Sequence, residues 1–115
     1  MGEVFLAKDA KLGRKVAVKI LSKKIRVGEQ AFHRFVREAK AASALNHPNI
    51  LIIHEVSDEP ETPYIVSEFV EGTTLTELIH TEDLPASRVV DIAIQLASAL
   101  AAAHHAGIVH RDIKP

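Results

Sequence analysis

The sequence predicts an α+β fold, a small sheet-and-helix half followed by a helical half. Three observations carry this. Four short runs rich in β-branched and aromatic residues, at 2–8, 15–21, 50–56 and 64–68, read as strands. An amphipathic helix pattern over 29–45 separates the second run from the third. From residue 74 onwards the pattern turns helical and closes in a long apolar segment before Gly107.

The bulk properties narrow the class. A chain of 115 residues suits one small domain, and 47% hydrophobic with 25% charged residues is a globular balance. A net charge of −1 gives no electrostatic case for nucleic acid or a membrane surface. With no cysteine, a disulfide framework and a thiolate metal site are both excluded. A reducing, cytoplasmic location is the expectation. Glu3, Lys8 and Asp9 interrupt the start, so no signal peptide is read there. The apolar segment 89–103 contains Asp91 and Gln95 and falls short of the roughly 20 apolar residues of a membrane span. Among the 7 histidines, His104, His105 and His110 form the one cluster, without a carboxylate or cysteine at ligand spacing on the same helix face. No metal site is expected from them.

Each element has its own signals. Residues 2–8 form the first strand, and 10–14 a turn in which Gly13 can take a positive φ. In the strand 15–21, period-two geometry puts Val16, Val18 and Ile20 on one face and Ala17, Lys19 and Leu21 on the other. A lysine so placed is ordinarily an edge residue with its ammonium in water. In the helix 29–45, Phe32, Phe35, Val36, Ala39 and Ala42 make the apolar stripe, and Glu38 borders it. A carboxylate there needs a partner. Pro48 ends that helix, and His47 reads as a structural residue. Residues 57–63 are an acidic turn between the third and fourth strands. Thr74-Leu75-Thr76-Glu77 fits a capping box that opens a short helix to His80. Pro85 suits the first turn of the last helix, which runs to Ala106, and Gly107 its C-terminal cap. Arg88, Asp91, Gln95 and Ser98 are a narrow polar strip on that helix, which otherwise has the composition of a helix buried inside a larger protein.

Two stretches carry a family resemblance. His110-Arg111-Asp112-Ile113-Lys114-Pro115 resembles the catalytic loop of eukaryotic-type (Hanks-type) serine/threonine protein kinases, as found in bacteria. Val16-Ala17-Val18-Lys19 is similar to the strand that carries the kinase lysine. The resemblance implies an antiparallel small lobe lacking its first strand over 1–68, then the hinge and the start of the large lobe over 69–115. It implies Asp112 as the base that accepts the substrate hydroxyl proton, Lys114 steadying the transferred phosphate, and Lys19 paired with Glu38 to align the phosphates of ATP. Gly2 would be the end of the Gly-rich loop. Val4 and Ala17 would roof the adenine, with Ser67 guarding the back of its pocket. The backbones of Glu68 and Val70 would bond its edge.

The implied reaction is transfer of the ATP γ-phosphate to a serine or threonine of a protein substrate, with Mg²⁺. Lys114 two residues after Asp112 marks the serine/threonine class. The asparagine that follows the catalytic aspartate in the family and the D-F-G motif, which together hold the magnesium, do not occur in these residues, and only Gly2-Glu3-Val4 matches the Gly-rich loop. The expectation is therefore an incomplete catalytic domain, inactive by itself. The alternatives are a non-catalytic, truncated kinase-like interaction module and a small-molecule kinase of the same fold.

Overall fold

Asp9 closes the first hairpin. Its carboxylate Oδ1 accepts the N–H groups of Lys11 at 3.0 Å and Leu12 at 3.1 Å, and its carbonyl accepts Gly13 N–H at 2.7 Å. Gly13 turns the chain at φ 68°, a left-handed conformation that costs a Cβ-bearing residue about 1–2 kcal/mol. The flanking strands, β1 (Glu3–Asp9) and β2 (Arg14–Ile20), pair antiparallel from Glu3–Ile20 to Asp9–Arg14. The computed structural model describes residues 3–21, 29–57, 59 and 62–114. Gly2 therefore lies outside the described residues. The hairpin donors, Leu12 N–H foremost, hold the Asp9 carboxyl below the usual carboxylate range.

The chain divides into two compact units, Met1–Asn46 with Leu51–Phe69, and His47–Ile50 with Val70–Pro115. In the first unit, β3 (Ile53–Val56) and β4 (Tyr64–Glu68) complete a four-stranded antiparallel sheet of order β1-β2-β4-β3. Helix α1 (Glu29–Ser43) packs against β3. Its stripe follows the sequence pattern. Phe32, Val36 and Ala39 are buried, while Phe35 and Ala42 are partly covered. Burying each large apolar side chain stabilises the unit by about 1.5–3 kcal/mol. Val16, Leu21 and Pro63 are the other buried apolar residues among the described residues of this unit.

Two boundaries differ from the sequence pattern. The apolar stripe suggests a helix to residue 45, but α1 ends at Ser43. Ala44 and Leu45 make tighter bonds to Ala41 and Ala42, and the Ser43 hydroxyl turns back to the Lys40 carbonyl at 2.7 Å. The third strand begins at Ile53 and not at residue 50. A register shift falls inside the strand, between Ile53 and Glu55, while just before the strand a side chain takes the place of the backbone ladder. The Glu68 carboxylate takes the Ile52 N–H there, at 2.7 Å.

The second unit is helical. Thr74 opens α2 (Leu75–Thr81) with the full reciprocal capping box to Glu77. Pro85 is the N-cap of α3 (Ala86–His105), without a side-chain cap bond. The helix closes through Ala106 onto Gly107 at φ 76°. Gly107 N–H bonds His104 O at 2.9 Å and Ile108 N–H bonds Ala103 O at 2.9 Å, the two bonds of a Schellman motif.

By length and composition α3 could cross a membrane, being 20 residues long and longer than the apolar segment 89–103. Two side chains of the loop after α1 bind along it. His47 Nε2 shares a hydrogen bond with Ser98 Oγ at 3.0 Å, and Asn49 Nδ2 donates to the Gln95 carbonyl at 3.2 Å. Ala99 and Ala103 are its buried residues, while Val89, Val90, Ile94 and Leu96 are exposed.

Candidate active site

The sheet brings four of the expected residues to one face. Cross-strand partners share a face, and so do residues two apart on a strand. Val4 pairs with Lys19, Ala17 pairs with Ser67, and Lys19 lies two residues beyond Ala17. The result is a patch of small and aliphatic residues around a single ammonium.

Lys19 is not an edge residue, because β2 lies between β1 and β4. It is half-buried, and among the described residues its side chain makes no ion pair or hydrogen bond. Glu38 is exposed on α1 and also lacks such a partner among the described residues, so the structure does not bring Lys19 and Glu38 together. Glu38 sits about a quarter-turn off the centre of the helix stripe, which leaves its carboxylate in water. A partner is therefore not required where the helix holds it.

Ser67 is buried at 7% exposure, and its hydroxyl donates to the Glu68 carbonyl at 3.2 Å. The Glu68 amide is also engaged, donating to Ile52 O at 2.9 Å. Next along the chain, Lys15 places its ammonium 5.9 Å from the centre of the Phe69 ring. Val70 belongs to the second unit and is exposed. A groove of about 260 Å³ lined by Val18, Ile20, Glu55, Thr62, Tyr64 and Val66 opens on the sheet face away from Lys19. It is therefore separate from this patch.

In the second unit the loop after α3 holds Asp112 and Lys114. Lys114 Nζ donates to Asp112 Oδ2 at 2.8 Å, with both side chains exposed. The Asp112 N–H donates to His110 Nδ1 at 3.3 Å, which leaves the proton of a neutral imidazole on Nε2. Between them Arg111 stands at φ 65°, a left-handed conformation that costs a side-chain-bearing residue about 1–2 kcal/mol. That turn presents the Asp112 carboxylate and the Lys114 ammonium side by side. Sequence patterns had no signal for the Arg111 conformation, and none for the Glu68 carboxylate bond or the Asn49 anchor, because those two depend on which distant backbone group comes within reach.

The patch fits the base and phosphates of a nucleotide. Ala17 and Ser67 place small side chains there, and Lys19 supplies a half-buried ammonium whose side chain is unpaired among the described residues. A magnesium ion is not fitted by these residues. Among the described residues no group of three or more His, Cys, Asp or Glu could hold a metal.

This fold is that of a protein kinase domain. Superposed on the crystal structure of the PknI kinase domain of Mycobacterium tuberculosis, it gives a TM-score of 0.87 at 33% identity, over 100% of this chain and 47% of that one. The chain belongs to the protein kinase domain family, which matches it over residues 1–115. It is 42% identical to the serine/threonine-protein kinase PknB of Mycobacterium leprae, across all of this chain and 19% of that protein. It is 46% identical to the serine/threonine-protein kinase PrkC of Bacillus subtilis, across all of this chain and 18% of that protein. The chain thus spans about a fifth of the length of these relatives.

Proposed function

We propose that the chain supplies the nucleotide-binding sheet and the catalytic loop of a bacterial serine/threonine protein kinase, active in the cytoplasm where ATP is held. The carrying observation is Lys19, a half-buried cation on an interior strand, unpaired among the described residues and surrounded by Val4, Ala17 and Ser67. A cation in that position is stabilised by an anionic ligand, and ATP matches both the cation and the small residues beside it. ATP supplies the transferable γ-phosphoryl group.

The residues then divide the work. Val4 and Ala17 cover the adenine, and Ser67 limits the depth of its pocket. The Glu68 carbonyl and Val70 N–H hold its edge, and Gly2 belongs to the loop over the phosphates. Lys19 orients the phosphates and recruits Glu38 when nucleotide is bound. Asp112 accepts the proton of the serine or threonine hydroxyl as its oxygen bonds to the γ-phosphorus. The bond to the bridging oxygen breaks, and ADP leaves. Lys114 neutralises charge on the phosphoryl oxygens in flight. The small lobe corresponds to 1–68, and the hinge and start of the large lobe to 69–115.

A complete kinase domain carrying residues 1–115 tests the reading. It is expected to transfer γ-phosphate to a protein substrate when Mg²⁺ is supplied, and Asp112→Asn is expected to remove about 10²–10⁴-fold of that rate. A domain that binds ATP but transfers no phosphate above background, with or without the Asp112 carboxylate, would overturn it in favour of a non-catalytic module. The separation of Lys19 from Glu38 is the observation on that side.

A further inference from the structure

The segment 67–69 is held by more side chains than a strand end needs. Glu68 makes two bonds with one residue. Its amide donates to Ile52 O at 2.9 Å, and its carboxylate Oε1 accepts Ile52 N–H at 2.7 Å. The second bond stands one residue before β3, where Ile52 lies opposite Glu68 in the register of the Ile53–Ser67 pair. A side chain thus replaces the missing backbone partner. The Ser67 hydroxyl donates to the Glu68 carbonyl at 3.2 Å, and the Lys15 ammonium lies 5.9 Å from the Phe69 ring centre.

With its amide committed to Ile52, Glu68 has its carbonyl left to offer a ligand. A carbonyl has two acceptor positions, and Ser67 occupies one. The direction of the other is set by the peptide plane, and that plane is fixed by how Glu68 is tied to Ile52. A loose peptide would have to be ordered at each binding event, which weakens affinity without touching the chemical step.

We propose that Glu68 is a positioning residue for the nucleotide: its carboxylate, bonded to Ile52 N–H, fixes the peptide whose carbonyl meets the adenine edge. This rests on the nucleotide-binding reading above. The role differs from that of the Glu68 backbone, because it belongs to the side chain and is open to substitution.

The test uses a complete kinase domain carrying residues 1–115, with Glu68→Ala and Glu68→Gln beside the wild type. Glu68→Ala is expected to raise the KM for ATP about tenfold while kcat stays within about twofold, since a hydrogen bond to a charged group is lost. Glu68→Gln keeps an oxygen acceptor and is expected to recover most of the loss. Exchange of the Ile52 amide hydrogen should quicken in Glu68→Ala and be largely restored in Glu68→Gln. A residue that merely stabilised the sheet would lower the melting temperature and the active fraction, but leave the KM of the folded fraction unmoved. If Glu68→Ala does not fold, Glu68→Asp carries the test, because its shorter side chain keeps the charge and falls short of Ile52. An ATP KM within twofold of wild type in that variant, or a Gln variant as impaired as Ala, overturns the inference. A wild-type domain that neither binds nor turns over ATP overturns the functional reading and this inference together. A working wild type matched by Glu68→Ala overturns this inference alone.

Discussion

His47 Nε2 lies 3.0 Å from Ser98 Oγ, across 51 positions of the chain. The neighbouring Nδ1 accepts the Asn49 N–H at 3.1 Å, which fixes the proton of the neutral ring on Nε2 and makes the imidazole the donor to the hydroxyl. One ring thus shapes the loop locally and anchors it to α3. His47→Ala removes both bonds and is expected to cost about 1–2 kcal/mol of stability. Ser98→Ala removes one and is expected to cost about 0.5–1 kcal/mol. In a double-mutant cycle followed by urea unfolding, the two should be coupled by roughly 0.5 kcal/mol or more, whereas strict additivity would mean the bond contributes nothing.

Lys19 and Glu38 make a second cycle with two readouts. Because no ion pair joins them in the described structure, their effects on melting should add to within about 0.5 kcal/mol. If the pairing belongs to the nucleotide-bound state, their effects on phosphoryl transfer should be non-additive by 1 kcal/mol or more, on the order expected for interacting residues. Coupling in melting would contradict the geometry. Additivity in transfer would remove Glu38 from the proposed mechanism.

Ser67 faces Ala17 across the strands and is 7% exposed. Ser67→Met adds volume to a tight position, and a cost of about 1–3 kcal/mol in stability is expected from overpacking. The same change should exclude ATP-site inhibitors that carry a bulky group behind the adenine. Competition binding to the complete domain checks this, and unchanged affinity would show that Ser67 does not guard the pocket.

The α2 cap should respond to acid. The Thr74 N–H and then its hydroxyl hold the Glu77 carboxyl below its ordinary range. A depressed folded-state value means that the cap stabilises the helix fully above the unfolded carboxylate value, about 4.3. That stabilisation is lost as pH falls through the lower folded value. Protection of the Thr74 amide, measured against its intrinsic exchange rate from pH 5 downwards, should fall in the wild type. Glu77→Gln should flatten that dependence, and an equally steep profile in the variant would assign it to another group.

Much of this architecture could be read from residue types. The capping box at Thr74, the proline entry and glycine exit of α3, the Gly13 turn and the α1 stripe each follow from local chemistry that a few adjacent letters express. The loop from His110 to Lys114 was legible through its family resemblance, since its parts are consecutive, but its left-handed Arg111 was not. What escaped were relations between distant backbone groups. The late start of β3 depends on the Glu68 carboxylate, which takes the Ile52 N–H and which no periodicity marks. The expected approach of Glu38 to Lys19 depends on how α1 sits, and a helical pattern fixes which face is apolar without fixing how far its border lies from a strand.

Gly107 would meet nothing within 4 Å if it carried a Cβ, so backbone conformation alone reserves the position for glycine. The closing bonds of α3 run from the Gly107 and Ile108 amides to the His104 and Ala103 carbonyls, and none involves a side chain. The angle at which the chain departs towards Asp112 is therefore written in peptide groups. Solvent-facing letters of α3 can drift over evolutionary time while the reactive turn keeps its aim. Two properties usually bound together, the identity of a helix surface and the trajectory of the loop it launches, can be inherited separately here.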